Sequence, residues 1–396
     1  MRQLRRGFSN TLLAGALGLA SVSFLAPAQA EQSADELLGK VFEEIEGNRL
    51  DLALKQVEAL LQAKPNFRLA YLIKGDLLLA RGRALKTLGD APQGSSERLD
   101  GLRAEALVRL HAYRDRPSQD LVPRYLMQLR GDQRYAIVVD NKRSRLYLYQ
   151  NQNGRPRFVA DYYISTGKRG GEKTREGDEK TPIGVYHITA SLPRNKLADL
   201  YGSGAFPINY PNEWDKRHGK KGNGIWLHGT PSDTYSRAPR ASNGCVVLAN
   251  ADLDALSTKL QIGLTPVIIS EQVEWLSLDD WNTERNALNA EIERWRGAWE
   301  SLDTERYLTH YSTKFSTGRE NFSDWRRHKR QVNSGKSWIK LNLSKISMFR
   351  NPGKGELVVV TFDQDYRSSN LSNAMKKRQY WTKEGGKWRI IYEGAA

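Results

Sequence analysis

The N-terminal part of this chain carries a helical pattern. Between residues 31 and 130 apolar positions recur every three or four residues, as Leu37, Val41 and Ile45 do, and this spacing is typical of amphipathic helices. A polar stretch with glycine and proline at 89–96 interrupts the pattern and predicts a loop. We therefore expect a small helical bundle, which is either an arm that binds a partner or a packing cap.

The pattern changes at Tyr135 from a helical to a strand period. Short apolar runs and alternating stretches, separated by turns such as 151–154, continue as far as Ile269, and they predict the strands of a mostly antiparallel sheet. Helical spacing returns in this block at about 252–259. The middle of the chain is thus expected to be a β-rich domain.

A third block begins after residue 270 and contains eight of the ten tryptophans. An amphipathic helix is predicted over 282–300, and alternating positions between glycine turns predict four strands within 338–392. The three blocks together predict a multidomain α+β protein, with an N-terminal helical bundle, a central mostly antiparallel β domain and a C-terminal α+β unit. The expected boundaries are 1–30 for a leader, 31–130 for the helical bundle, 131–270 for the central β domain and 271–396 for the C-terminal unit.

The first thirty residues have the features of a secretory signal. Three arginines precede an apolar stretch at 11–25, and Ala28 and Ala30 occupy the −3 and −1 positions of a signal-peptidase site. We expect cleavage after Ala30 and a periplasmic protein. A membrane anchor is the alternative, although the apolar stretch is shorter than the roughly 20 residues that cross a bilayer. The pair Arg5 and Arg6 leaves Sec and twin-arginine export both open.

The charge balance of the chain is basic. There are 61 Lys and Arg against 45 Asp and Glu, a net charge of +16, and loss of the leader's three arginines lowers it to +13. A basic surface favours an anionic partner. The basic residues are spread over all three blocks without a helix-turn-helix or zinc-finger pattern. Because the chain is also expected to be exported, we do not expect it to bind nucleic acid.

Cys245 is the one cysteine in the sequence, which rules out an intramolecular disulfide and a cysteine-based zinc cage. We expect no metal and no cofactor. A lone thiol outside the cytoplasm is either buried and inert or retained for chemistry. Sixteen residues separate it from His228, which follows an apolar strand, and Gly244 directly precedes it. This arrangement is typical of a cysteine nucleophile, a histidine base and a turn that presents backbone amides.

The residues around Cys245 resemble the L,D-transpeptidase catalytic domain, also called the YkuD family. The resemblance rests on His-Gly at 228–229, Ser-Asn-Gly-Cys at 242–245 and upstream stretches at 163–168, 180–186 and 200–214. Two positions depart from the family pattern: Asn243 stands where histidine is usual, and Val247 stands where arginine is usual. The second departure removes a positive charge, for which Arg237 or Arg240 in the preceding loop is a candidate replacement.

This resemblance implies a cysteine acyltransferase that acts on peptidoglycan stem peptides. The Cys245 thiolate attacks the carbonyl at the L-centre of the third stem residue, a diamino acid, and D-alanine leaves. His228 takes the thiol proton and later protonates the leaving amine. The Gly229 carbonyl orients the imidazole, and the amides of Gly244 and Cys245 hold the oxyanion. The substrate-binding candidates are Trp226, Thr230, Arg240, Ser242 and Asn243.

Capture of the acyl-enzyme decides which reaction results. An amine acceptor gives an L,D-transpeptidase, which is the preferred interpretation, and water gives an L,D-carboxypeptidase that trims tetrapeptide to tripeptide. An amidase that releases a wall-linked lipoprotein and a non-catalytic wall-binding scaffold stay open as alternatives.

The flanking blocks carry weaker resemblances. Residues 53–71 resemble one tetratricopeptide unit, which needs neighbours to cover its apolar face. Residues 292–311 and the four strands after them resemble nuclear transport factor 2-like domains of the SnoaL type, which implies a cone of curved sheet over helices. A homodimer through the N- or C-terminal domain is therefore an open alternative. The three units in this order also resemble cell-shape-determining L,D-carboxypeptidases, which keeps hydrolysis open.

Overall fold

The computed structural model describes residues 33–90, 94–118 and 120–396. The expected signal peptide at 1–30 and its cleavage site lie outside the described residues. Residues Ala34–Ala396 form one compact unit. In the described ranges, every helix is too short or too polar for a membrane crossing.

The N-terminal part of the described chain is helical, as its periodicity predicts. Apolar side chains such as Leu38, Val57 and Leu69 are fully buried where the helices meet. Helices that are amphipathic in this way gain most of their stability from such packing and not from local propensity. The four helices in the described residues before the first strand are α1 (Ala34–Glu46), α2 (Leu50–Ala63), α3 (Arg68–Leu79) and α4 (Ser96–Arg114).

The helical block was predicted to reach residue 130, and this prediction is wrong over its last residues. The final helix ends at Arg114, and two short strands follow, β1 (Val122–Pro123) and β2 (Leu126–Gln128). Pro117 and Pro123 lack the amide hydrogen that a helix interior requires, so the chain leaves the helical conformation there.

Two sheets enclose the core of the central block in the described chain. The larger sheet has the order β5-β4-β3-β13-β7, the smaller has the order β12-β10-β9-β8, and β6 pairs with β11. Ile137, Leu148, Leu227 and Ile269 are among the side chains buried between them. The elements are β3 (Tyr135–Asp140), β4 (Arg145–Gln152), β5 (Arg155–Tyr163), β6 (Thr166–Gly167), β7 (Gly184–His187), β8 (Leu192–Pro193), β9 (Gly204–Pro207), α5 (Glu213–Arg217), β10 (Trp226–His228), β11 (Arg240–Ser242), β12 (Val246–Val247), α6 (Asn250–Ser257) and β13 (Pro266–Ser270).

The central strands are mostly antiparallel, as predicted. β3, β4 and β5 form a meander, and β9 pairs antiparallel with both β8 and β10. The exceptions are three parallel pairs, β13 with β3, β12 with β10 and β11 with β6. Parallel neighbours need a crossover connection, and the one between β10 and β12 carries the residues discussed below.

The C-terminal block is a mostly antiparallel sheet covered by helices, in which the strands Tyr311–Ser316 and Lys387–Ala395 pair in parallel. Its core includes Trp295, Trp299, Trp325 and Trp381. The predicted helix at 282–300 begins earlier, at Leu278, because the Ser277 side chain accepts a hydrogen bond from the Asp280 amide and caps it. The elements are β14 (Trp275–Leu276), α7 (Leu278–Glu300), α8 (Thr304–Leu308), β15 (Tyr311–Ser316), α9 (Phe322–Ser334), β16 (Ile339–Arg350), β17 (Leu357–Ser368), β18 (Leu371–Glu384) and β19 (Lys387–Ala395).

The segment before the central block belongs structurally to the C-terminal sheet. β2 extends this sheet at its β16 edge, with Gln128 opposite Met348. The Trp281 indole of α7 donates a hydrogen bond to the Leu126 carbonyl at 2.8 Å. The segments that precede and follow the central block, at Leu126 and Trp281, thus contact each other. This contact restrains the orientation of the central block against the C-terminal sheet. The boundaries at 130 and 270 stay predictions.

Candidate active site

Strand pairing brings Cys245 and His228 to the same face of the smaller sheet. β10 and β12 run parallel, with Leu227 opposite Val246 and His228 opposite Val247. Leu227 and Val246 are fully buried in the core, and side chains alternate between faces along a strand. His228 and Cys245, which directly precedes β12, therefore share the opposite face. Strand spacing and rise put their Cα atoms about 8 Å apart.

The His228 imidazole is held in one tautomer. Its Nδ1 lies 2.7 Å from the Gly229 carbonyl oxygen, which accepts hydrogen bonds and cannot donate them, so Nδ1 carries the hydrogen and Nε2 has a free lone pair. The ring of Tyr201 packs edge-on against it at 5.1 Å. Burial lowers the pKa of His228 to about 4, and the charge of Arg237 acts in the same direction. A neutral imidazole of this kind is a proton acceptor at neutral pH.

The Cys245 side chain is partly buried and its thiol is protonated at neutral pH. Burial raises its pKa, although the backbone N–H of Trp226 and the charges of Arg237 and Lys173 oppose the rise. The thiol donates a hydrogen bond to the Gly224 carbonyl at 3.4 Å. Catalytic hydrogen bonds often tighten only when substrate is bound. The resting pair is thus a neutral thiol and a neutral imidazole.

The turn before the nucleophile depends on Gly244. Its φ is +125°, and a Cβ atom there would lie 2.7 Å from the Lys180 carbonyl oxygen. The Gly244 carbonyl accepts a hydrogen bond from Thr181 Oγ1 at 3.0 Å, and its amide donates to Ser242 Oγ at 3.1 Å. The amide of Gly244 is therefore already engaged, contrary to its expected role as an oxyanion donor. The Cys245 amide is left as the backbone donor of the expected pair.

Comparisons with known proteins agree with this geometry. Residues 134–269 match the L,D-transpeptidase catalytic domain, and residues 287–394 match the Cds6 C-terminal NTF2-like domain. The structure of Bd1075 from Bdellovibrio bacteriovorus is 32% identical in sequence, with a TM-score of 0.62, over 70% of this chain and 98% of that chain. The chain belongs to the L,D-transpeptidase family.

Two further relatives of this L,D-transpeptidase-family protein differ in how much of it they cover. Pgp2 from Campylobacter jejuni, described as a helical cell shape determining protein, is 27% identical with a TM-score of 0.59, over 68% of this chain and 95% of that chain. YafK of Escherichia coli strain K12, whose name designates it an L,D-transpeptidase, is 26% identical over 45% of this chain and 67% of its own length.

The structure separates the expected substrate-binding residues of this family member into two groups. Trp226 is half-buried and packs against Tyr201 at 4.9 Å, and Asn243 is exposed beside the nucleophile. Ser242 and Thr230, by contrast, are buried. Ser242 Oγ donates to the Cys245 carbonyl at 2.6 Å, and Thr230 Oγ1 donates to the Tyr235 carbonyl at 3.3 Å. Both hydroxyls therefore hold the backbone, and their contact with substrate stays a prediction.

The two candidate arginines also have different surroundings. Arg240 is exposed and lies 3.7 Å from Glu271, so its charge is already paired and hydrated. Arg237 is half-buried, and its charge acts on both Cys245 and His228. Among the described residues Arg237 makes no ion pair, and its guanidinium has one long contact, 3.5 Å to the Leu200 carbonyl. Arg237, with Lys173, is thus a cation whose charge acts on Cys245, and the substrate contact expected of Arg240 stays a prediction.

Sequence reasoning missed the residue that supports the His228 loop. Asn250 donates to the Thr230 carbonyl at 2.9 Å and accepts from the Ser203 amide at 2.9 Å. Its side chain lies where a Cβ at Gly229 would be, so this position requires glycine. Asn250 opens α6, five residues after Cys245, and a hydrogen-bonding residue at a helix start is ordinarily interpreted as a cap. Its distant partners could not be inferred from that position.

The protonation states predict how Cys245 reacts with iodoacetamide. Since burial raises the pKa of this thiol above its ordinary value near 9, the thiolate fraction is small at pH 7 and increases as the pH passes through the raised pKa. Alkylation measured by mass spectrometry should therefore be slower at pH 7 than for an unstructured cysteine peptide, and should rise steeply in alkaline buffer. A reactivity plateau that extends to pH 5 would instead show a preformed thiolate–imidazolium pair and contradict the assignment.

Gly244→Ala should abolish activity while the protein stays folded, because the new Cβ displaces the turn against the Lys180 carbonyl. Gly177→Ala is the matched control, since Gly177 also has a positive φ, +71°, but no atom lies within 4 Å of its Cβ position. Gly177→Ala should destabilise the fold by about 1 kcal/mol through its positive φ alone, and Gly244→Ala should destabilise it by more because of the clash, as measured by urea unfolding. Equal activity in the two variants would show that the turn tolerates displacement.

Proposed function

We propose that this chain is a periplasmic cysteine acyltransferase of the L,D-transpeptidase type that acts on peptidoglycan stem peptides. The observation that carries the proposal is the placement of Cys245 and His228 on one face of the paired strands β10 and β12, within a domain of this family. The sequence features of a signal peptide support export. The description of Pgp2 as a cell shape determining protein supports a role in cell shape.

In the first half-reaction the Cys245 sulfur attacks the carbonyl carbon of the third stem residue while its proton passes to His228 Nε2. The Cys245 amide donates a hydrogen bond to the developing oxyanion. Collapse of this intermediate breaks the bond to D-alanine, whose nitrogen takes the proton back from Nε2. The products are free D-alanine and a thioester on Cys245, and His228 is neutral again.

Arg237 is proposed to bind the carboxylate of the terminal D-alanine. This carboxylate belongs to the residue directly after the bond that is cleaved. The charge of Arg237 acts on Cys245, which attacks that bond. A half-buried arginine without a carboxylate partner among the described residues gains a charge-assisted, bidentate contact when such a substrate binds. The enzyme should then prefer tetrapeptides, because in a pentapeptide the corresponding carboxylate lies one residue further away.

In the second half-reaction an amine or water attacks the thioester. Transfer to an amine of a second stem peptide gives a cross-link and is the preferred proposal. Hydrolysis to a tripeptide is the second candidate, and it is favoured by a specific observation: Asn243, two residues before Cys245, is exposed and leaves this position open to water.

Incubation with a disaccharide tetrapeptide, followed by mass spectrometry, tests the proposal. Release of D-alanine with a cross-linked dimer is expected for transfer, and release with tripeptide alone assigns hydrolysis. An intact tetrapeptide under all conditions would overturn the proposal and favour a non-catalytic wall-binding role.

The same assay assigns the two catalytic side chains. Cys245→Ala should give no product, and His228→Ala should lower kcat about 100-fold or more, since general base catalysis is worth roughly that much. His218→Ala is the matched control, because His218 Nδ1 also lies 2.8 Å from a backbone carbonyl, that of Trp214, but on α5's exposed end. It should leave kcat unchanged. Residual turnover by Cys245→Ala would exclude the thioester.

A further inference from the structure

The loop that connects the two catalytic strands lies against the N-terminal helices. This active-site loop, residues 231–239, runs from the end of the His228 strand to the strand that leads to Cys245, and it contains Arg237. Nine residues without regular secondary structure would have considerable conformational freedom, and fixing each backbone costs about 1–2 kcal/mol. Contacts from outside the loop are therefore needed to keep Arg237 beside the nucleophile.

The first group of contacts comes from the start of α3. The Tyr235 amide donates to the Asn66 carbonyl at 3.2 Å, and Asn66 Nδ2 donates to the Ser232 carbonyl at 3.1 Å. The fully buried Phe67 packs against the Tyr235 ring with 4.6 Å between centroids. One short segment of the helical bundle thus binds both the first half of the loop and its centre.

The second contact comes from α4. Ser236, the neighbour of Arg237, donates to Glu105 Oε1 at 2.7 Å. Glu105 is 1% exposed and also accepts from Arg109 at 2.9 Å. Arg109 in turn forms a buried ion pair with Asp35 of α1. The helices therefore present a fixed carboxylate to the loop, at the residue next to Arg237.

The same arginine also supports Arg237 from the central sheet. The Arg109 guanidinium lies 3.8 Å from the centroid of the Tyr163 ring, and the Tyr163 hydroxyl donates to the Arg237 carbonyl at 2.7 Å. Asp35 pairs with Arg145 of β4 as well, which attaches the helices to the sheet that carries Tyr163. Tyr235, Ser236 and Arg237 are each held by a group that belongs to the N-terminal helices or is packed against them.

We propose that the N-terminal helices act as a positioning element of the active site, in which Asn66 and Glu105 hold the active-site loop and so fix the position of Arg237 relative to Cys245. The part that concerns substrate rests on the proposed function, because Arg237 is there the group that binds the terminal carboxylate. Asn66, Glu105 and Ser236 are positioning residues and touch no substrate. The helical bundle is on this view neither a passive cap nor solely a partner-binding arm.

The test uses the full chain with Ser236→Ala and Asn66→Ala combined, which removes the hydrogen bonds from Ser236 to Glu105 and from the Asn66 side chain to Ser232 and leaves the Glu105–Arg109 pair in place. Ser312→Ala is the matched control, because Ser312 Oγ donates to Glu384 Oε1 at 2.7 Å in the C-terminal sheet. Arg237→Met removes the charge, and Arg237→Lys retains it. Asn66→Ala alone should give an intermediate effect if the double variant proves too unstable to purify.

The first readout is the pH profile of Cys245 alkylation, which needs no substrate. Arg237→Met should move the profile to higher pH by about one unit, the low end of the effect of a neighbouring charge. The double loop variant should move it in the same direction, and Ser312→Ala and Arg237→Lys should not. In the Arg237→Met background the loop substitutions should add nothing. If the alkylation profile of Arg237→Met moves and that of the double loop variant does not, the proposal is overturned.

The second readout is turnover of the disaccharide tetrapeptide. The loop variant should raise KM about tenfold, because a contact made equally in the ground and transition states is lost. Its kcat should also fall, because the displaced charge no longer lowers the pKa of the Cys245 thiol. A fall in kcat alone would contradict the assignment of Arg237 to carboxylate binding. If the wild-type protein releases no D-alanine while the alkylation profiles shift as expected, the proposed function fails and the positioning role stands.

Discussion

The parallel pairing of β10 with β12 is the constraint on which the chemistry of this protein depends. The pairing has two residue positions, Leu227 with Val246 and His228 with Val247, and both members of the first pair are buried in the core. A shift by one residue would turn every side chain of the strand to the other face. The core would then contain His228, and its imidazole would no longer lie on the same face as Cys245. Hydrophobic burial thus selects the register that aligns the two catalytic candidates.

Buried charge joins the helices to the sheet behind the site. Arg109 and Arg145 are almost fully buried with Asp35 between them. Removal of one partner from such a group leaves an uncompensated charge at a cost of several kcal/mol, whereas the intact group adds little net stability. The network instead restricts geometry, because each buried charge tolerates few arrangements of its partners. This is why a network of this kind suits an element that has to hold an active-site loop in one position.

The electrostatics of the site follow from the same enclosure. Burial lowers the pKa of His228 to about 4 and raises that of the Cys245 thiol, so both groups rest in the neutral form at neutral pH. Arg237 opposes the effect of burial at the thiol and adds to it at the imidazole. The charge of Arg237 therefore favours both a lower pKa of the Cys245 thiol and a neutral His228 imidazole. Both effects depend on the position of Arg237.

Local pattern in the sequence was enough for the periods of helix and strand and for the α+β class, because these depend on neighbours along the chain. It also singled out Cys245 and His228 by their residue chemistry, and their catalytic roles stay predictions. It was not enough for the direction of individual hydroxyls or for contacts between distant segments. Ser242 and Thr230 donate to carbonyls three and five residues away, and the Gly244 amide donates to Ser242 two residues before it. Short-range pattern does not show whether such a hydroxyl bonds a neighbouring carbonyl or faces solvent. The strand made by residues 126–128 and the contacts of the helices with the active-site loop were decided by tertiary structure, where packing brings together groups that lie more than one hundred residues apart.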